Sequence, residues 1–183
     1  MKTLFTVHAG EYLVGSHIGK TYPKWRVWMP AKDTGIDLLV TDPKNKAAVS
    51  LQVKSSKDYN PTSHRGFLLQ NKLRAMGWWT HQVQKIQKSQ ADFWVFVLPS
   101  FMEHETSFII IPPAELLRRF RAVFGNTEKR IDSYLWVTKT GHCWEARGLT
   151  NAEQEKLAWD SLSDRSREFT KYLNAWDQIA ERL

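Results

Sequence analysis

Gly35-Ile36-Asp37-Leu38-Leu39-Val40 is followed, across the turn residues Thr41-Asp42-Pro43-Lys44-Asn45, by Val49-Ser50-Leu51-Gln52-Val53-Lys54-Ser55. Two short apolar runs around a polar turn read as strands, over residues 35–41 and 48–55, joined in a hairpin. Strand side chains alternate between faces with period two. Val49, Leu51 and Val53 therefore share one face, and Ser50, Gln52 and Lys54 the other. The hairpin brings Asp37, placed within the first strand, into reach of Gln52 and Lys54. A carboxylate, an amide oxygen and an ammonium on one side of a sheet are the groups of a metal and phosphate site.

Working outward, residues 3–18 read as a helix ending near Gly19, and Lys24 to Met29 as a strand closed by Pro30. Residues 57–66, with Asn60-Pro61 and Gly66, read as a loop, and residues 67–76 are ambiguous. Trp79, Val83 and Ile86 stand at helical spacing and predict a helix over 78–89. Phe93 to Leu98 and Ser107 to Ile111 are apolar strands, the second ended by Pro112-Pro113. Pro113 opens a helix Ala114–Phe124 that Gly125 stops. Ser133–Thr138 and Cys143–Arg147 pair across Thr140-Gly141. Glu153 to Leu162 and Arg165 to Arg182 read as C-terminal helices, with Leu173, Trp176 and Ile179 on one side of the second. The strand at 93–98 is reached through a crossover helix and should lie parallel to its neighbour. The fold expected is α/β: a mixed sheet with an α-β-β-β-α-β core flanked by helices, an extra β-hairpin and C-terminal helices. Residues 1–150 form the main domain, and residues 151–183 a helical extension packed on it.

The chain has 183 residues and a formal net charge of +7. A chain of this length buries roughly 70% of its unfolded surface and needs no staples. Its single cysteine, Cys143, excludes an internal disulfide and fits a reducing cytoplasm. The apolar run at the start is too short for a signal peptide, and no run is long enough for a membrane span. Residues 1–150 carry 21 Lys and Arg against 12 Asp and Glu, while residues 151–183 carry 5 against 7. The basic excess concentrates in 43–88, where Asp58 is the one acidic residue, and this block overlaps the candidate site. A basic surface is either a solvated face or the footprint of a polyphosphate ligand; with the hairpin beside it, nucleic acid is the better reading.

Gly35-x-Asp37 followed fifteen positions later by Gln52-x-Lys54, with Glu11 in the preceding helix Ala9-Gly10-Glu11-Tyr12-Leu13-Val14, resembles the PD-(D/E)XK nuclease superfamily. The likeness is to its restriction-endonuclease-like and Holliday-junction-resolvase-like branches, in a Gln-x-Lys variant, and covers roughly residues 4–98. The resemblance implies a restriction-endonuclease-like fold and a metal-dependent endonuclease acting on DNA, in defence, recombination or repair. It implies Mg²⁺ or Mn²⁺ as cofactor, Glu11, Asp37 and Gln52 as ligands, and Lys54 at the attacking water. DNA is the implied partner, with RNA open, no membrane, and a homodimer serving two strands.

Each of these residues also has a plainer reading. Glu11 shares a helix face with Val7, Val14 and Ile18, where burying a carboxylate unpaired is costly; it either faces the sheet and the metal site or is a capping or surface residue. An Asp between Ile36 and Leu38 is disfavoured in a strand; it either binds metal or pairs structurally with Lys54. Gln52 departs from the usual acidic residue: its amide oxygen coordinates but is neutral, and Mg²⁺ prefers one or two carboxylates with waters and phosphate. Lys54 is either the site's cation or a surface lysine. Ser55 and Lys57 are candidate contacts to a nucleic-acid backbone.

Other signals carry less. Most of the nine tryptophans are expected in the core, with Trp25 or Trp78 able to stack on a base. His142-Cys143 is no nucleophile pair, because strand neighbours point opposite ways. Glu103-His104-Glu105 lacks the spacing of a zinc protease, and the histidines show no zinc pattern. Two other functions stay open: a non-catalytic nucleic-acid-binding module on the same fold, and an interaction protein using exposed tryptophan.

Overall fold

Proline, not glycine, ends the first helix. The computed structural model describes residues 9–32, 34–56, 69, 71–100, 105–126 and 129–183. Within them α1 (Ala9–Thr21) passes through Gly19 and stops before Pro23, whose ring disfavours helical backbone at the residue before it. Residues 3–8 of the expected helix lie outside the described residues. Three strands follow, β1 (Arg26–Trp28), β2 (Leu38–Thr41) and β3 (Ala48–Ser55). Next come β4 (Leu73–Gln82), a short α2 (Val83–Gln87), β5 (Phe93–Pro99), β6 (Thr106–Ile111) and α3 (Pro113–Phe124). The hairpin of β7 (Arg130–Thr138) and β8 (Cys143–Glu145), α4 (Asn151–Ala158), two 3-10 turns and α5 (Asp177–Ala180) complete the chain. The loop expected at 57–66 lies outside the described residues.

Two sheets form. The larger has the order β1-β2-β3-β5-β6, antiparallel except for the parallel pair β3 and β5. The smaller is antiparallel, β4-β7-β8. Strand β5 is the middle of the molecule, with Phe93 to Leu98 all buried. Phe93, Val95 and Val97 join Val14 and Ile18 of α1 on one face. Trp94, Phe96 and Leu98 join Trp79, Leu116 and Leu135 on the other. The large sheet is thus a central layer between α1 and the small sheet, which explains why β5 is apolar without alternation. On the outer side of the small sheet, Met76, Trp136 and Trp144 pack against Leu157 and Leu162.

Four expectations need correction. Residues 78–82 are strand, not helix. Gly77, Trp79 and His81 are buried while Trp78, Thr80 and Gln82 are exposed, a period of two, and the whole strand pairs with β7 from Leu73↔Thr138 to Gln82↔Arg130. The helical spacing holds for Val83 and Ile86, the buried residues of α2, but Trp79 belongs to β4, where a run of aromatic residues and threonine favours a strand. The order is therefore α-β-β-β-β-α-β, with β4 inserted before the crossover helix. Third, the expected helix over 165–182 is a strap. It bridges Trp144↔Glu168 on the small sheet and Ile109↔Leu173 on the large one. Asn174, at φ +50°, donates to Phe108 O at 2.6 Å and accepts from Phe108 N at 2.9 Å. A continuous helix has no free backbone groups for such pairing. Leu173 accordingly packs in one layer, and Trp176 and Ile179 in the other. Fourth, Asp37 lies one residue before β2, not within it. Among the described residues no helix is long and apolar enough to cross a membrane.

Candidate active site

The site begins with a mismatch in strand length. Strand β2 starts at Leu38, opposite Leu51, so past Leu51 β3 keeps β5 on one side but has no strand on its β2 side. Asp37 fills that notch. Its N–H donates to Leu51 O at 2.8 Å, and its Oδ2 accepts from Val53 N at 2.8 Å. The carboxylate stands in for the missing strand's carbonyl and is oriented by doing so. A carboxylate has about four lone-pair sites, so one such bond positions the group without exhausting it.

Helix α1 closes on the same end of β3. A Cβ on Gly10 would lie 2.8 Å from Ser55 Cβ and 3.3 Å from Val53 Cγ1, so only glycine lets the helix come this near. That approach brings in Glu11, which is 7% exposed beside Val14 and Ile18. Gln52 and Lys54 project from the opposite face of β3, away from Val53. The Lys54 ammonium sits 5.1 Å from the centroid of the Trp94 ring, and Trp94 pairs in register with Gln52. His81 is buried on this side, its Nε2 3.0 Å from Ser133 Oγ. Burial first, and the Lys54 charge second, pull its pKa down to about 4. The imidazole is therefore neutral at neutral pH and leaves Lys54 as the cation here. Gly35, at φ +83°, lies over Gln52, where a Cβ would stand 4.0 Å from Nε2. Its left-handed backbone suits glycine.

Glu11, Asp37, Gln52 and Lys54 all line one cavity of about 770 Å³. Ser55 lines it too, whereas Lys57 lies outside the described residues. The far wall comes from α2 and its flanks: Lys85, Lys88, and the amides of Gln82, Gln84 and Gln90. Sequence reading placed Lys85 and Lys88 in the basic block but not in the site, because the helix that carries them starts later than its periodicity suggested. The cavity thus presents two carboxylates, three lysines and several amides. Among the described residues no cluster of three or more His, Cys, Asp or Glu is present. A bound cation would rest on Glu11, Asp37 and the Gln52 amide oxygen. These are hard oxygens of the kind Mg²⁺ takes, alongside waters and phosphate, so the donor chemistry fits.

The remaining signals resolve simply. Trp79, Trp94, Trp136, Trp144 and Trp176 are buried. Trp25 stacks on Tyr22 at 4.1 Å. Trp78 is 49% exposed. His142 Nδ1 lies 3.3 Å from Asp160 Oδ1, and Cys143 is fully buried, which pushes its thiol pKa up and leaves it inert. Glu103 and His104 lie outside the described residues.

A mixed α/β protein with a basic, carboxylate-bearing cavity at the open end of its central sheet is the class these observations define. No family model and no curated protein matches the chain. Among solved structures it is similar to a bacterial homing endonuclease, I-Ssp6803I, at 16% identity over 94% of this chain and 86% of that one, with a TM-score of 0.39.

Proposed function

We propose that this chain is an endonuclease of PD-(D/E)XK type that hydrolyses phosphodiester bonds in DNA with Mg²⁺ or Mn²⁺. The observation that carries the reading is the meeting, in one cavity, of Glu11 from α1, Asp37 from the notch beside β2, and Gln52 and Lys54 from β3. Glu11, Asp37 and the Gln52 amide oxygen would hold the cation. When bound, the cation lowers the pKa of its water and polarises a phosphoryl oxygen. Lys54 orients the attacking water and offsets the negative charge that builds on the phosphoryl group. Lys85 and Lys88, on the far wall, attract the neighbouring phosphates. Neutral His81 beneath Lys54 adds no competing charge.

Supercoiled plasmid incubated with the protein and Mg²⁺ or Mn²⁺ is expected to become nicked or linear. EDTA, Asp37→Ala and Lys54→Ala should each abolish the conversion. Cleavage that survives in both variants refutes the assignment. Gln52, a neutral residue where a third negative charge would sit, favours a second reading: a non-catalytic nucleic-acid-binding module. Salt-sensitive binding without cleavage of duplex, branched or single-stranded DNA selects that one.

A further inference from the structure

The small sheet is covered on its outer side only in part. Leu157 and Leu162 cover Met76, Trp136 and Trp144, with Tyr134 at the margin of that cluster, but the cross-strand pairs beyond it, Thr80↔Asp132 and Gln82↔Arg130, and the Trp78 side of Trp78↔Tyr134 stay at least partly open. Their backs are packed by Trp79, His81, Ile131 and Leu135, and among the described residues no helix or strand overlies Trp78, Thr80 and Gln82, which are exposed. The open row meets the cavity at its Gln82 end, and its Trp78 end is tied to the chain that follows β3. Gln82 itself lines the cavity, and the Trp78 N–H donates to Ser56 Oγ at 3.2 Å, next to the lining residue Ser55.

Thr80, Arg130, Asp132, Tyr134 and Arg147 are held in one network. Thr80 Oγ1 donates to Asp132 Oδ1 at 2.6 Å and accepts from Arg130 Nη2 at 3.2 Å. Arg147 donates to Tyr134 OH at 2.8 Å, lies over its ring at 5.0 Å, and reaches Asp132 Oδ2 at 3.8 Å. Thr80, Asp132 and Arg130 on the ribbon, and Arg147 reaching over it from just beyond β8, are thus held together, with the exposed Gln82 amide and Trp78 indole at the two ends of the row. These are the donors and acceptors that read base edges: Arg for guanine, Gln for adenine, Asp for cytosine, with Thr tolerant. A two-stranded ribbon enters the major groove of B-form DNA, whereas the A-form groove of duplex RNA is too deep and narrow. Trp78 to Gln82 spans roughly 14 Å at about 3.4 Å per residue, about four base-pair steps.

We infer that the open face of β4 and β7 is a base-reading platform that docks in the major groove of duplex DNA beside the cavity and sets which sequence is presented to it. The inference rests on the proposed nuclease reading, but binding tests it apart from cleavage. A random duplex pool is selected for binding with Mg²⁺ in the Lys54→Ala background, so strands stay intact. The selection is repeated with Gln82→Ala, Arg147→Ala and Trp78→Ala added singly, beside Arg121→Ala as a distant surface control. Melting temperatures confirm folding, as all these side chains are at least partly exposed. The expected result is an enriched sequence whose affinity falls about tenfold in the Gln82 and Arg147 variants, with altered preference at one or two positions, and under about twofold for Arg121→Ala. Duplex RNA of matching sequence should not compete. Unchanged affinity and preference in all three platform variants, or a pool without enrichment, overturns the inference. Sequence-selective binding in a native chain that cuts nothing leaves the platform standing and removes the hydrolytic reading instead.

Discussion

Replacing Gly10 by alanine sets two known effects against each other in a single helix. Alanine is favoured over glycine in a helix by about 1 kcal/mol. At Gly10, however, the new methyl would sit 2.8 Å from Ser55 Cβ, and ordinary carbon contact begins near ~3.5 Å. The helix end must then move off β3 by roughly 0.7 Å, and overpacking of this kind costs about 1–3 kcal/mol. The clash wins, leaving the variant less stable than the native chain by about 1 kcal/mol, a fall of ~2–4 °C in melting temperature for a domain this size. Gly19 supplies the control, because nothing lies within 4 Å of its Cβ position, and Gly19→Ala should stabilise by about 0.5–1 kcal/mol. Glu11 rides on the displaced end. A 1 Å error in positioning costs ~10²-fold in rate, so the Gly10 variant should cleave roughly tenfold more slowly with DNA affinity nearly unchanged, while the Gly19 variant cleaves normally. Scanning calorimetry and a plasmid-nicking time course read both. Equal stability of the two variants would show that α1 does not press on β3 as described.

Asp37→Asn keeps an acceptor for Val53 N–H and removes a charge, whereas Asp37→Ala removes both. Both variants should lose at least ~10²-fold in cleavage rate, an effect of about 3 kcal/mol, but only Ala should lose about 1–3 kcal/mol of stability in denaturant titrations. Gln52→Glu adds a third carboxylate oxygen donor and should lower the Mg²⁺ concentration for half-maximal cleavage; an unchanged requirement would remove Gln52 from the ligand set. Glu145, fully buried, accepts from Tyr134 N, Arg147 N and Arg167 Nη1, yet burial outweighs these and raises its pKa to about 7 from the ordinary 4.5. The folded chain therefore holds a proton that the unfolded chain releases, so this stabilisation is complete below pH 4.5 and disappears as pH rises through 7. Glu145→Gln should flatten that part of the melting-temperature profile, and an unaltered profile would refute the assignment.

Short-range chemistry was legible where period and punctuation agreed. Pro113 and Gly125 bound α3 as expected, and the alternation in β3 put Val49, Leu51 and Val53 on the α1 side. What failed was decided by distant partners. β7 pairs with residues 73–82 and makes a strand of a stretch whose apolar spacing also suits a helix. Glu168, Leu173 and Asn174 bridge to two different sheets, which an amphipathic pattern does not reveal. At the candidate site, Glu11, Asp37, Gln52 and Lys54 were readable from residue type and order as neighbours, and they line one cavity. Lys85 and Lys88 were not, because their place depends on where β4 hands over to α2.

The fold and the chemistry make different demands on the same positions. The notch beside β3 requires an acceptor at residue 37, and an amide would serve as well as a carboxylate. The α1 contact requires glycine at residue 10 and makes no demand for an acid at residue 11. Packing against Val14 and Ile18 would be satisfied by an apolar side chain, since replacing buried charge with hydrophobic groups is often neutral or stabilising. Position 11 instead carries a carboxylate, held at 7% exposure. Together with Asp37 it makes two negative charges in a cavity that three lysines leave net positive. Under the proposed function this balance has a direct consequence. The lysines oppose a cation entering alone, while an entering phosphate both neutralises them and adds hard oxygen ligands, so cation and DNA should enter cooperatively.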